Sequence, residues 1–191
     1  MTLHFDNITI SGGVAVGKST LARNLLAYLE PYHWHIKNLG DIHRQYLNDN
    51  IMPEATKVSD EFDKKIEAEV EKILSTQKNW IIQGWLSGYV AKDLDKTLRI
   101  LLICKENALR VDRVANRDNA SIAEAKQFIK QREEGNLAKY KRIYGNHDFW
   151  NPKYYHLVID TYSSGQLETT GKVLDVLGYD ANKIEIEKKS H

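Results

Sequence analysis

Residues 8–26 read ITISGGVAVGKSTLARNLL, and this stretch carries the strongest structural signal in the chain. Its centre, Gly12–Ser19, matches the pattern G-x-x-x-x-G-K-[ST] in full, which is typical of a loop that wraps around phosphate groups. Before it, Ile8–Ser11 has the apolar character of a buried strand, and after it Thr20–Leu29 has the spacing of an amphipathic helix. Strand, loop and helix in this order predict a nucleoside triphosphate site near the start of the chain.

Each residue type in this loop has a chemical role towards a triphosphate. Glycines let the backbone point successive N–H groups at phosphate oxygens, and the start of the following helix adds partial positive charge. Lys18 is predicted to reach the β- and γ-phosphates, and the Ser19 hydroxyl to bind Mg²⁺. The residues predicted to bind the nucleotide are Gly12, Gly13, Val14, Ala15, Val16, Gly17, Lys18, Ser19 and Thr20.

The remainder of the chain alternates short apolar runs with segments of helical periodicity. Further strands are predicted at His35–Leu39, Trp80–Gln83, Leu98–Cys104 and His156–Asp160. Further helices are predicted at Ser59–Leu74, Ala108–Arg117, Ser121–Glu134 and Leu167–Leu177. This alternation predicts an α/β protein with a three-layer α/β/α fold, in which helices cover both faces of about five parallel strands.

Composition excludes several classes of partner. The longest apolar runs, such as Ile100–Cys104, are too short to span a membrane. The 27 Lys and Arg residues nearly balance the 26 Asp and Glu residues, so no nucleic-acid partner is predicted. The single cysteine cannot form an intrachain disulfide, and no secretory signal is visible. We therefore expect a cytoplasmic protein that is a monomer or a homodimer.

Basic residues concentrate in one part of this nearly neutral chain, since five of its eight arginines fall within residues 110–142. Arg110, Arg113 and Arg117 follow i, i+3, i+7 spacing and can share one helical face. A basic segment that closes over a phosphoryl-transfer site stabilises the developing charge and excludes water. The alternative is a solvated helix face with ion pairs to Asp112, Glu133 and Glu134. We expect that arrangement for Arg110 and Arg142, and a functional role for Arg117 and Arg132.

A triphosphate site alone does not distinguish a switch, a motor and a kinase. The guanine-reading pattern Asn-Lys-x-Asp of GTPases is missing, and the chain is short for an ATP-driven machine, so a small phosphotransferase is favoured. After the second predicted strand comes the segment Gly40–Arg44. There Asp41 can cap a helix or hold an acceptor hydroxyl, and Arg44 can clamp a phosphate. A helix cap beside a solvated arginine is the alternative.

These segments together resemble the cytidylate kinases, especially their short archaeal-type branch. The resemblance runs from Ile8 to about Leu177 and rests on the ordered succession of the phosphate loop, the Gly40–Arg44 segment, a third strand and a basic lid. It implies ATP- and Mg²⁺-dependent phosphoryl transfer to a nucleoside monophosphate, most often CMP or dCMP. It also implies one kinase domain over residues 1–180, with an acceptor-binding segment at about 40–76, a lid at about 110–145 and a polar tail at 181–191.

The resemblance also implies roles for individual residues. Arg113 and Arg117 would lie near ATP, Arg132 would face the transferring phosphate, and Arg44 would grip the phosphate of the acceptor. Lys18, Arg117 and Arg132 would then be the catalytic residues.

One segment departs from the family pattern. Where the family has an acidic residue, glycine and arginine, this chain has Gln83, Gly84 and Trp85. Gln83 supplies no carboxylate, and Trp85 cannot grip a phosphate but can stack on a base or pack on the domain. The residues predicted to bind the acceptor are Asp41, Arg44, Gln83, Gly84 and Trp85. Two alternatives stay open: a kinase of another small molecule, and a nucleotide-binding module with little catalysis.

Overall fold

The computed structural model describes residues 3–49 and 58–180 of the chain. The predicted polar tail at 181–191 and residues 50–57 of the predicted acceptor segment lie outside the described residues. In the described part, five strands form a single sheet: β1 (Asn7–Gly12), β2 (His35–Asn38), β3 (Trp80–Gln83), β4 (Thr97–Ile103) and β5 (Leu157–Asp160). The strand order is β2-β3-β1-β4-β5, and every neighbouring pair is parallel.

Seven α-helices accompany the sheet within the described ranges. They are α1 (Lys18–Leu29), α2 (Leu39–Asp49), α3 (Asp60–Thr76), α4 (Ser87–Val90), α5 (Asn107–Asp118), α6 (Ile122–Tyr144) and α7 (Gln166–Leu177). Short 3₁₀ turns lie at Glu30–Tyr32 and Pro152–Tyr154. In the part of the chain that the structure describes, no helix is both long and apolar enough to cross a membrane.

Two separate cores show that the sheet is covered on both faces. In β3, Ile81 packs into a core with residues of α1 and α7, whereas its neighbour Ile82 packs into a second core with residues of α3. Successive side chains of a strand point to opposite faces, so two adjacent buried isoleucines require cover on each side. The predicted three-layer α/β/α fold is therefore confirmed.

The helix predicted at Ser121–Glu134 is longer than expected, and its predicted end is wrong by ten residues. It begins with a capping box, in which Ser121 accepts from the N–H of Glu124 and the Glu124 carboxylate accepts from the N–H of Ser121. It ends before Gly145, whose φ is 88°. The apolar spacing weakens after Ile129, but the helix continues because its inner face is completed by buried polar side chains, described below.

Candidate active site

A cavity of about 980 Å³ lies beyond the carboxyl ends of the strands, and it brings together most of the residues predicted to form the site. Ligands of open parallel sheets bind at this edge, where the strand order switches direction. The phosphate loop and residues of α2, α3 and α6 all contribute to its lining. The predicted residues in its lining are Gly13, Val14, Ala15, Val16, Gly17, Lys18, Ser19, Thr20, Arg44, Gln83, Gly84, Trp85, Arg113, Arg117 and Arg132. Gly12 and Asp41 are absent from that lining.

The phosphate loop is held from its outer side. The carbonyls of Val14, Ala15 and Val16 accept hydrogen bonds from Arg110 Nε, Arg113 Nη1 and Thr161 Oγ1, each at 3.0 Å. With its carbonyls occupied outward, the loop can direct N–H groups towards the cavity. Residues with positive φ then complete the turn: Ala15 at 58° and Gly17 at 95°.

Glycine is required at the end of β1. Gly12 has a φ of 143°, and a Cβ atom there would collide with the carbonyl oxygen of Leu102 in β4. Because glycine has no side chain, the chain can pass close to β4 here and turn away from the sheet into the loop.

Lys18 lies at the start of α1 and folds over the loop. Its Nζ donates to the carbonyl oxygens of Gly12 at 2.8 Å and Gly13 at 2.5 Å. Burial lowers the pKa of Lys18 to about 8, with the nearby Glu133 carboxylate acting in the opposite direction. The ammonium group thus lies inside the loop, where a bound phosphate would be desolvated along with it.

Ser19 and Gln83 contact each other, so the glutamine that replaces the family's acidic residue has a defined partner. The Ser19 hydroxyl donates to Gln83 Oε1 at 3.0 Å, and Gln83 is buried. Among residues 3–49 and 58–180, no group of three or more His, Cys, Asp or Glu side chains could hold a metal ion. A hydroxyl with no carboxylate cage suits Mg²⁺ that arrives with phosphate oxygens and water, since these supply its remaining ligands.

Of the two predicted site residues in α2, Asp41 and Arg44, only one lines the cavity. The Arg44 guanidinium forms an ion pair with the Asp41 carboxylate one turn away, and both side chains are more than half exposed. Only Arg44 lines the cavity. Because α2 begins at Leu39, Asp41 lies inside the first turn and pairs with Arg44 rather than capping the helix.

Trp85 packs into an aromatic cluster and also borders the cavity. Its ring stacks on Tyr140 with 5.4 Å between centroids, and lies 4.5 Å from the ring of Trp150. Trp150 Nε1 donates to the carbonyl of Trp85 at 3.1 Å. The Trp85 Nε1 atom itself is buried and has no hydrogen-bond partner among the described residues. The packing alternative from the sequence is thus realised, but the ring keeps a buried N–H donor without a partner among the described residues.

The lid arginines differ in how they are engaged. Arg113 braces the phosphate loop and also donates to Thr161, so both of its terminal nitrogens are bonded to protein oxygens. Arg117 pairs with Asp118 and lies over the ring of Phe128 at 5.8 Å. Arg132 forms no ion pair in the described ranges, and burial lowers its pKa. It is the lid arginine most available to an incoming anion.

Arg110 forms the expected ion pair with Glu133, but the expectation that it lies on a solvated face is wrong, because its side chain is largely buried. Its guanidinium pairs with Glu133 of α6, and Glu133 Oε1 accepts a hydrogen bond from the N–H of Val14 at 3.0 Å. A lid carboxylate therefore contacts the phosphate loop itself. Sequence reasoning missed this contact because Val14 and Glu133 are 119 residues apart and no local pattern links them.

A buried polar cluster between α2, α3 and α6 was also missed. Asp63 and Lys139 are 1% and 3% exposed, and Lys139 Nζ lies 2.6 Å from Asp63 Oδ2 as an ion pair. His43 Nε2 lies 2.7 Å from Asp63 Oδ1, and Glu67 follows one turn later in α3. A sequence signal existed: Asp63 and Glu67 fall on the apolar stripe of this helix, where a charge needs a partner or a function.

Comparisons with known proteins agree with this architecture. The model of the cytidylate kinase-like family matches residues 32–163. A cytidylate kinase from Sulfurisphaera tokodaii is 32% identical over 159 residues, which cover 81% of this chain and 85% of that protein. A cytidylate kinase from Methanothrix thermoacetophila is 34% identical over 159 residues, covering 81% and 87%. A gluconokinase from Sinorhizobium meliloti has a TM-score of 0.61 at 12% identity over the whole of both chains, which shows a shared fold.

Proposed function

This chain belongs to the cytidylate kinase-like family, and from that premise we propose that it transfers the γ-phosphoryl group of ATP to a nucleoside monophosphate, with CMP or dCMP preferred. The observation that carries the proposal is one cavity whose lining combines the phosphate loop and Lys18 with Arg44 and Arg132. Such a cavity suits two anionic substrates whose phosphates meet between the cations.

At the donor end, the proposal gives the phosphate loop the triphosphate of ATP. The loop N–H groups and the N-terminus of α1 would bind the phosphate oxygens, and Lys18 would leave its carbonyl contacts to bind the β- and γ-phosphates. Ser19 would hold Mg²⁺, with Gln83 orienting its hydroxyl. Mg²⁺, when bound, neutralises charge on the phosphate oxygens.

At the acceptor end, Arg44 would hold the monophosphate in both the ground state and the transition state. Arg132 would stabilise charge on the transferring group as the lid, which we place in α5 and α6, closes over it. A phosphate acceptor is already anionic, so transfer to it needs no general base. This fits Asp41, which could hold an acceptor hydroxyl but pairs with Arg44 and is absent from the cavity lining.

The direct test is ADP release measured with each nucleoside monophosphate as acceptor. We expect CMP and dCMP to give the highest kcat/KM. Turnover with none of the monophosphates would contradict the proposal.

A second candidate, a kinase of a different small molecule, is favoured by Gln83, Gly84 and Trp85 in place of the family's acidic-Gly-Arg segment. ATP turnover with a non-nucleotide acceptor but with no monophosphate would support it.

A further inference from the structure

Three buried polar atoms on residues of the cavity wall lack a hydrogen-bond partner in the described part of the chain: Asp63 Oδ2, Glu67 Oε2 and Trp85 Nε1. Asp63 Oδ2 is nevertheless in an ion pair with Lys139, so Glu67 and Trp85 are the two that are left without any partner there. Buried polar atoms in native proteins are nearly always paired, so each exception calls for an explanation such as a ligand. Glu67 is the more informative of the two, because it lines the cavity beside Asp63, which contacts both α2 and α6.

The groups around Glu67 control its charge. Asp63, one turn away on α3, carries the negative charge of the cluster and is matched by Lys139 from α6 and by His43 from α2. Tyr140 of α6 is the other titratable group nearby. Burial and the Asp63 carboxylate raise the pKa of Glu67 to about 8, and Lys139 only partly opposes them. At neutral pH most Glu67 side chains therefore carry a proton.

A protonated carboxyl group differs from a carboxylate in what it can bind. It offers one O–H donor and one C=O acceptor side by side, whereas a carboxylate only accepts. Cytosine presents the complementary pair on one edge, with the N3 acceptor next to the N4 amino donor.

We propose that the Glu67 carboxyl group recognises the acceptor base and pairs, through its O–H and its C=O, with N3 and the amino group of cytosine. This inference rests on the proposed function, because it assigns the base subsite of the same acceptor. Asp63 is then a positioning residue that keeps Glu67 protonated, and Lys139 and His43 hold Asp63 in place. Ionisation of Glu67 removes the donor and sets a carboxylate against the N3 lone pair.

The experiment compares Glu67→Leu with Glu67→Gln, using steady-state kinetics at saturating ATP. Leucine removes both hydrogen-bonding groups at similar size, so we expect the CMP KM to rise roughly 10- to 100-fold with little change in kcat. Glutamine keeps one N–H donor and one C=O acceptor at every pH, so its KM at pH 7 should stay within about threefold of wild type. Glu71→Leu, an exposed position on the same helix, is the matched control and should match wild type.

The pH profile separates recognition from a structural role. Between pH 7 and pH 9 the CMP KM of wild type should rise as Glu67 ionises, while that of Glu67→Gln should stay flat. Lys18 has a pKa of about 8 as well, but it titrates in both proteins, so the ratio of their KM values isolates Glu67. A ratio that does not change with pH would overturn the inference.

A modified acceptor tests the chemistry of recognition directly. The ribonucleoside monophosphate of 2-pyrimidinone keeps N3 but lacks the amino group, so wild type should favour CMP over it and Glu67→Leu should lose that preference. Uracil presents an N3–H donor next to the O4 acceptor, the reverse of cytosine. A carboxyl group that rotates by about 180° can pair with both, so UMP is a weaker probe. If wild type phosphorylates CMP and folded Glu67→Leu keeps its KM, this inference alone fails. If wild type phosphorylates no monophosphate, the proposed function fails with it.

Discussion

The two ends of the cavity differ in how completely their polar groups are paired. At the donor end, the carbonyls of Val14, Ala15 and Val16 are all bonded outward, and Lys18 bonds two more. At the acceptor end, Glu67 and Trp85 each keep a buried atom without a partner in the described ranges. A loop that binds the same triphosphate in many proteins can be fully braced by its own chain. A pocket that selects one acceptor must leave groups for that acceptor to satisfy.

The largest expected effect is on stability, from breaking the buried Lys139–Asp63 ion pair at the acceptor end. Lys139→Met leaves the Asp63 carboxylate buried without its cation, so we expect a loss of about 3–5 kcal/mol in the free energy of unfolding. Urea denaturation measures it. Lys141→Met, on the exposed side of the same helix, is the control and should change stability by no more than about 0.5 kcal/mol. A loss below about 1 kcal/mol for Lys139→Met would show that Asp63 needs no cation beside His43.

The donor end should respond in activity rather than in stability. Lys18→Ala removes the side-chain cation of the phosphate loop, and preorganised cations of this kind are worth roughly 3 kcal/mol in the transition state. We expect kcat to fall 100-fold or more, while the thermal unfolding midpoint stays close to that of wild type. Near-normal turnover by a folded Lys18→Ala protein would exclude this loop from catalysis.

The sequence predicts the donor end of the cavity better than the acceptor end. The donor end lies within one contiguous motif, so the loop, its flanking strand and helix, and the five-stranded sheet were predicted, with ends shifted by a residue or two. The acceptor end is assembled from residues far apart in the chain: Asp63 meets Lys139 from a helix that was predicted to end at Glu134. Such pairs have no local periodicity, because only the packing of α3 against α6 brings them together.

Two arginines at the acceptor end should separate binding from catalysis. In the proposed function Arg44 would hold the acceptor phosphate in both the ground state and the transition state, so Arg44→Ala should raise the acceptor KM roughly 10- to 100-fold. Arg132→Ala removes one that engages charge as the lid closes, so kcat should fall by a similar factor. Arg142→Ala is the control, since Arg142 forms an exposed ion pair with Asp60. An unchanged acceptor KM in Arg44→Ala would place the acceptor phosphate elsewhere.

The smallest expected effect concerns the contact that joins the lid to the donor end. The Glu133 carboxylate accepts from the N–H of Val14 and pairs with Arg110, so an anion already lies against the loop to which the proposed function assigns the triphosphate. Glu133→Gln keeps the shape and one acceptor oxygen but removes the charge, which weakens this contact by roughly 1 kcal/mol. The ATP Kd measured by calorimetry should therefore fall about fivefold.

Glu134→Gln, at the exposed neighbouring position, changes the net charge of the protein by the same amount without contacting the loop, and it should leave the ATP Kd unchanged. If Glu133→Gln instead binds ATP more weakly, then the carboxylate does not compete with phosphate. It would instead hold Arg110 and the loop in the geometry that binds ATP. The donor end would then need a lid residue for its correct geometry, just as the acceptor end needs Lys139 of α6 to balance the charge of Asp63.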